Sequence, residues 1–204
     1  MTTIAVLDYG MGNLRSVEKA LEHVGVRAVR TREPDAVRAA DGVVLPGVGA
    51  FPRAMEGVRE LGFDDLLRER VEGGVPVIGL CVGMQLLFES STELGGAEGI
   101  GLLGGEVRAL DADGLKVPQI GWNPVSWRRP SPLAEGLADP CPFYHVHSFA
   151  PRPLNGDVVG TATYGGEFAS VVARPPVYGV QFHPEKSGPD GLALLGNFAR
   201  LCSA

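Results

Sequence analysis

The chain has few of the residues that mark a secreted, metal-bound or nucleic-acid-binding protein. Its 204 residues contain three cysteines, Cys81, Cys141 and Cys202. Their number is odd and their spacing wide and unpatterned, which argues against a disulfide framework or a zinc knuckle. No CxxC or HExxH motif occurs. Of the four histidines only His145 and His147 stand close together. Two apart, they share one side of an extended segment, but no third ligand lies beside them in the sequence and no metal is expected. The formal charge is -6 and the longest basic cluster is Trp127-Arg128-Arg129, so no nucleic acid partner is expected. No apolar run approaches the roughly 20 residues needed to cross a bilayer, and no charged-then-apolar leader opens the chain. A soluble, cytoplasmic protein with no membrane partner is the expectation.

Apolar residues make up 45% of the chain, enough for one sizeable core, and a single domain over 1–204 is expected. TIAVLDYG reads as a short buried strand. GNLRSVEKALEHVG follows, with Leu14, Val17, Leu21 and Val24 at helical spacing and Gly25 as C-cap. VRAVR, DGVVLPG and VPVIGL read as further strands, with helical pattern from about Ala54 to Val71 and again in MQLLFE. Alternating strands and helices imply a parallel sheet covered on both faces, with a ligand site at the carboxyl ends of its strands. Beyond about Gly95 the pattern changes to short strand candidates rich in glycine and proline, namely GEVRAL, CPFYHVHSF, DVVGTATYG, EFASVVAR and VYGVQFH. These predict antiparallel strands extending the sheet, followed by a closing helix in GLALLGNFARL.

The segment with the most chemical content is Gly79-Leu80-Cys81-Val82-Gly83. A polar residue framed by glycines where a strand meets a helix has the form of a nucleophile elbow. A cysteine that opens a helix is also favoured as the reactive thiolate. Taken alone, Cys81 could equally be a small buried hydrophobe. A nucleophile needs a base and a group to orient it, and VYGVQFHPEKS supplies both. His183 ends a strand-like run and Glu185 follows two residues on, on the same side of extended chain. Nucleophile, base and orienting carboxylate complete the logic of a catalytic triad. LPGVGAF places two glycines within three residues after the third strand. Such a loop can turn backbone N–H groups toward an oxyanion. No GKS or GKT follows it, so it reads only weakly as a phosphate loop, and no cofactor is expected.

GLCVGMQ together with HPE resembles the class I, or triad, glutamine amidotransferases. DYGMGNL, LPGVGAF, PQIGWN, the HVHSF segment and QFHPEKS together resemble the glutaminase subunits of imidazole glycerol phosphate synthase, over almost the whole chain. The resemblance implies a three-layer, flavodoxin-like class I glutaminase fold of the α/β class. It also implies hydrolysis of glutamine to glutamate, with the ammonia passed to a (β/α)8-barrel cyclase subunit in a heterodimer. That partner would make imidazole glycerol phosphate and an aminoimidazole carboxamide ribotide in histidine biosynthesis. Carried over by motif, Cys81, His183 and Glu185 are catalytic, and the amides of Val48 and Val82 form the oxyanion site. Gly49, Gln85, Ser148 and Phe149 hold the substrate. Asn13, Trp122 and Lys186 face the partner, with Trp122 read as part of a Gly-Trp-Asn turn. The resemblance also implies that the free subunit is nearly inactive until the glycine loop turns an N–H toward the oxyanion. Two alternatives stand beside this reading: a glutaminase for another acceptor, such as pyridoxal phosphate synthase, and a noncatalytic flavodoxin-like subunit.

Overall fold

The computed structural model describes residues 1–154 and 156–203. The first half alternates as the pattern predicts. β1 (Thr3–Leu7), β2 (Arg27–Thr31), β3 (Gly42–Gly47) and β4 (Val77–Cys81) are parallel neighbours, joined through α1 (Leu14–His23), α2 (Pro34–Arg38), α3 (Phe51–Glu60) and α4 (Phe63–Glu72). Gly25 closes the first helical segment with φ +88°, a left-handed conformation that glycine adopts without a steric penalty. The helical stretch expected from Ala54 to Val71 is two helices, broken at Leu61–Gly62 where Gly62 takes φ +64°.

The strands of this half are almost continuously apolar because both faces of the sheet are covered. Successive side chains alternate between two cores. Ile4, Val6, Val44, Ile78 and Leu80 join the cluster that includes Leu21, Leu194 and Phe198. Ala5, Leu7, Val43, Leu45 and Val77 join the one built on Phe51, Met55, Phe63 and Leu67. The result is three layers, with α1 and the closing helix α6 (Gly188–Leu201) on one face and α3 and α4 on the other.

The second half departs from a simple extension. β8 (Gln119–Trp127), β9 (Cys141–His147), β11 (Val158–Tyr164) and β12 (Gly166–Arg174) do extend the large sheet in antiparallel fashion. β13 (Val177–Val180) returns parallel to β4, giving the order β2-β1-β3-β4-β13-β12-β11-β8-β9. The GEVRAL segment lies elsewhere. β7 (Leu103–Ala109) belongs to a second sheet of four strands with β5 (Phe88–Ser91), β6 (Ala97–Glu98) and β10 (Phe149–Pro153). MQLLFE is also not one helix: α5 (Val82–Leu86) is five residues long, and the chain enters β5 at Phe88. A short apolar run fits either period, and here pairing of β5 with β7 decides.

Three adjacent strands matter most. Gly47, at the end of β3, is in register with Cys81, at the end of β4, and Val180 of β13 is in register with Leu80. The glycine loop after β3, the cysteine elbow and the His-Pro-Glu segment after β13 therefore emerge side by side at the carboxyl edge of the sheet.

Candidate active site

Cys81 has φ 54° and ψ −113°, a conformation that costs a non-glycine residue of order 1–3 kcal/mol and needs firm support around it. The framing glycines provide that support by allowing close approach. A β-carbon on Gly79 would lie 2.5 Å from the Gly83 carbonyl oxygen, and one on Gly83 would overlap the Leu45 carbonyl. Only glycine lets the first turn of α5 pack this tightly over β3 and β4. A cysteine acting only as a small apolar filler would not require such strain, so the backbone favours the elbow over the packing alternative.

His183 follows β13, and its Nδ1 lies 2.9 Å from Oε1 of Glu185. Both side chains are closed off from solvent. Burial alone would lower the imidazole pKa, but the influence of the Cys81 sulfur and of the hydrogen-bonded Glu185 carboxylate prevails and raises it to about 9. The imidazole is thus held as an imidazolium between a sulfur and a carboxylate.

Val48, Gly49, Cys81, Val82, Gln85, Ser148, Phe149, His183 and Lys186 line one cavity of about 260 Å³, a volume suited to a ligand of amino-acid size. Glu185 stands behind His183. Gln85 is buried, and its Nε2 donates to the Phe149 carbonyl at 2.9 Å and to Gln181 Oε1 at 3.0 Å. With both amide protons engaged, the group it can offer a ligand is its oxygen. Ser148 and Phe149 lie where the chain leaves β9 for β10, so the cavity opens at the change from one sheet to the other.

Asn13 and Trp122 lie outside this cavity. Asn13 precedes α1 and makes no side-chain capping bond there. Trp122 is not in a turn, contrary to the sequence reading. It lies in β8, opposite Tyr144 of β9, and is 58% exposed. β11 pairs with β8 only at Ser126 and Trp127, and the edge left open over the earlier residues tolerates the glycine and proline that disguised the strand.

The cavity also takes in Glu93, Pro118, Val146 and His147, to none of which the sequence assigned a role in the site. Glu93 sits in a 3-10 turn (Glu93–Gly95) with no motif around it, and its Oε2 accepts from the Phe51 N–H at 2.8 Å, at the head of α3. His145 and His147 do share one side of β9. Each is buried with Nδ1 facing a main-chain carbonyl, of Phe143 and Phe149 respectively. His145 Nε2 lies 2.9 Å from Ser170 Oγ and His147 Nε2 lies 3.0 Å from the Gln119 amide. Burial pushes their pKa values down to about 3 and about 4, so both are neutral, and of the two His147 lines the cavity. Among the described residues no group of three or more His, Cys, Asp or Glu side chains could hold a metal ion, and no helix is long and apolar enough to cross a membrane.

A cysteine elbow at the end of a parallel strand, with a histidine and carboxylate just after the neighbouring strand, is the arrangement of a triad amidotransferase, and residues 5–202 match the family model for glutamine amidotransferase class-I. The fold agrees. A solved structure titled as a glutamine amidotransferase superposes with TM-score 0.76 over 98% of this chain and 99% of its own, at 23% identity. The structure of PurLQS from Thermotoga maritima superposes with TM-score 0.75 over 98% of each chain, at 18% identity. The curated relatives are nearer in sequence. Imidazole glycerol phosphate synthase subunit HisH of Moorella thermoacetica is 49% identical over 98% of this chain and 96% of its own length. The HisH subunit of Bacillus cereus strain G9842 is 46% identical with the same coverage. The chain belongs to this HisH family of class-I glutamine amidotransferases.

Proposed function

We propose that the chain hydrolyses glutamine to glutamate and ammonia through a thioester on Cys81, supplying the ammonia to a (β/α)8-barrel cyclase subunit in histidine biosynthesis. The observation that carries this reading is the convergence of the Cys81 elbow, the His183–Glu185 pair and the Gly47–Gly49 loop around one amino-acid-sized cavity. The Cys81 thiolate attacks the side-chain amide carbon and forms the C–S bond, and the charge moving to oxygen is met by the amides of Val48 and Val82. The His183 imidazolium then protonates the amide nitrogen as the C–N bond breaks and ammonia leaves. Water adds to the thioester, giving a proton to His183, and cleavage of the C–S bond releases glutamate and restores the thiolate–imidazolium pair. Glu185 keeps the imidazole in one tautomer throughout.

Substrate recognition falls to Gln85, Gly49, Ser148 and Phe149. Glu93 adds the negative charge that an α-ammonium group would seek. The partner would dock over Val117, Ile120 and Trp122, exposed on and beside β8; Pro118, next to Val117 in the chain, and Lys186 both line the cavity. Exposed apolar side chains grouped in this way favour a protein partner. The experiment is ammonia and glutamate release from glutamine by the purified chain, alone and with the cyclase subunit and its nucleotide ligand. Release that depends on the partner and is lost in Cys81→Ser supports the reading, and full activity in Cys81→Ser would overturn it.

A further inference from the structure

Gln181 takes no part in the mechanism above and does not line the cavity, yet its side chain touches the nucleophile. It is fully buried, with its backbone N–H committed to the Ser170 carbonyl at 2.8 Å. Its Nε2 lies 3.8 Å from Cys81 Sγ and its Oε1 lies 3.0 Å from Gln85 Nε2.

The orientation of both amides follows from a single fixed group. The Phe149 carbonyl can only accept, so the Gln85 atom facing it at 2.9 Å must be the NH2 group. That NH2 in turn faces Gln181, which must present its oxygen to it. The Gln181 NH2 is then left pointing at sulfur, and it can only donate. A thiol and a thiolate make different use of this setting. The thiol can donate to the Val146 carbonyl, 3.7 Å from Sγ. The thiolate has no proton to give that carbonyl, but it strengthens the N–H bond from Gln181, because hydrogen bonds to a charged acceptor are about twice as strong as neutral ones.

Resting on the glutaminase reading, we propose that Gln181 is a thiolate-stabilising residue: held in one orientation by Gln85 and the Phe149 carbonyl, it donates a hydrogen bond to the Cys81 sulfur from outside the cavity lining. The same donor would act on the sulfur when the thioester breaks and the thiolate leaves. It would also link substrate recognition at Gln85 to the reactivity of Cys81 through one side chain. The titratable groups facing the sulfur are His183 with Glu185 behind it, Tyr9 from the end of β1, and Glu93, His147 and Lys186 around the cavity. All of these are kept when Gln181 alone is changed.

The test is the pH dependence of Cys81 alkylation by iodoacetamide in the full-length chain, followed by mass spectrometry of the Cys81 peptide, which separates it from Cys141 and Cys202. Gln181→Met fills a similar volume without the donor and should raise the midpoint of reactivity by about one pH unit. Gln181→Glu can still accept from Gln85 but turns an acceptor toward the sulfur, and should raise the midpoint further. If Gln181→Glu does not fold, the Met variant, shown to be native by near-UV circular dichroism, decides. A native Met variant whose midpoint matches the parent chain overturns the proposal. Ammonia release in the parent complex is measured in parallel. A raised midpoint without any glutaminase activity would remove the functional reading and leave the role of Gln181 standing. Activity with an unmoved midpoint would do the reverse.

Discussion

The Nδ1 atom of His183 lies 2.9 Å from Oε1 of Glu185 while both side chains are almost closed to water, at 6% and 1% exposure. Burial opposes a charged imidazole here, yet the Cys81 sulfur and the hydrogen-bonded Glu185 carboxylate raise its pKa to about 9. Catalysis that uses the imidazolium should therefore persist to mildly alkaline pH and fall as pH rises through about 9. Glu185→Gln removes one of the two raising partners and should bring that alkaline limb down toward the ordinary histidine value. It should also lower kcat by about 10²- to 10⁴-fold, the scale of loss when a triad orienter is neutralised. A kcat/KM profile from pH 6 to 10 on the reconstituted complex reads both effects. An unmoved limb would remove Glu185 from the site.

The same linkage gives stability predictions of opposite sign on the two sides of neutrality. For His183 the folded pKa is raised, so its contribution is complete below about 6.5 and is lost as pH rises through about 9. For His145 and His147 the folded values are lowered to about 3 and about 4. Their contribution is present above about 6.5 and is lost as pH falls toward those values, because only the unfolded chain takes up the protons. Thermal melts between pH 4 and 7 should show Tm falling with acid. The fall should be shallower in His145→Gln, which no longer has that proton uptake. A slope unchanged by the substitution would show that other groups drive the acid loss.

Much of the site was legible because its parts occupy local motifs with their own physical logic. The glycine frame around Cys81 can be read without a fold, and so can the pairing of His183 with Glu185, although the structure makes that contact through a 3-10 turn over Pro184–Lys186 and not through extended chain. The adjacency of β3, β4 and β13 cannot, because β13 reaches β4 only after the antiparallel strands have been laid down. Glu93 and Gln181 escaped for the same reason. Glu93 is one acid in an irregular turn, and Gln181 reads as a residue continuing a strand. Each gains meaning only from what the fold sets against it, the Phe51 amide in one case and the Cys81 sulfur in the other. The second sheet was hidden because GEVRAL has strand character but nothing in it names its partner, and pairing with β5 and β10 is a tertiary choice.

The strain at Cys81 can be separated from its chemistry. With φ at 54°, Cys81→Ala keeps the forbidden backbone while Cys81→Gly relieves it, at the cost of a more flexible unfolded chain. The glycine variant should be more stable than the alanine variant by about 1 kcal/mol, the reverse of the usual order within regular structure. Both should lack glutaminase activity. Urea denaturation of the two variants makes the comparison, and an alanine variant at least as stable as the glycine one would mean that the elbow carries no appreciable strain.

Trp122 offers the clearest separation of folding from assembly. At 58% exposure its ring makes only an edge contact with Tyr144, the centroids 6.2 Å apart. Trp122→Ala should therefore change the stability of the isolated chain by no more than about 0.5 kcal/mol, as for other surface positions. Its neighbour Ile120, on the same face of β8, is 62% exposed. An aromatic anchor in such a patch typically supplies 2 kcal/mol or more of binding when a partner covers it, so the dissociation constant for the cyclase subunit should rise by roughly 30-fold or more. Calorimetric titration of the variant against the partner, alongside a melt of the variant alone, measures the two quantities. Weakened binding with an unchanged melt would assign this face of β8 to the interface, whereas unchanged binding would place the partner elsewhere on the surface.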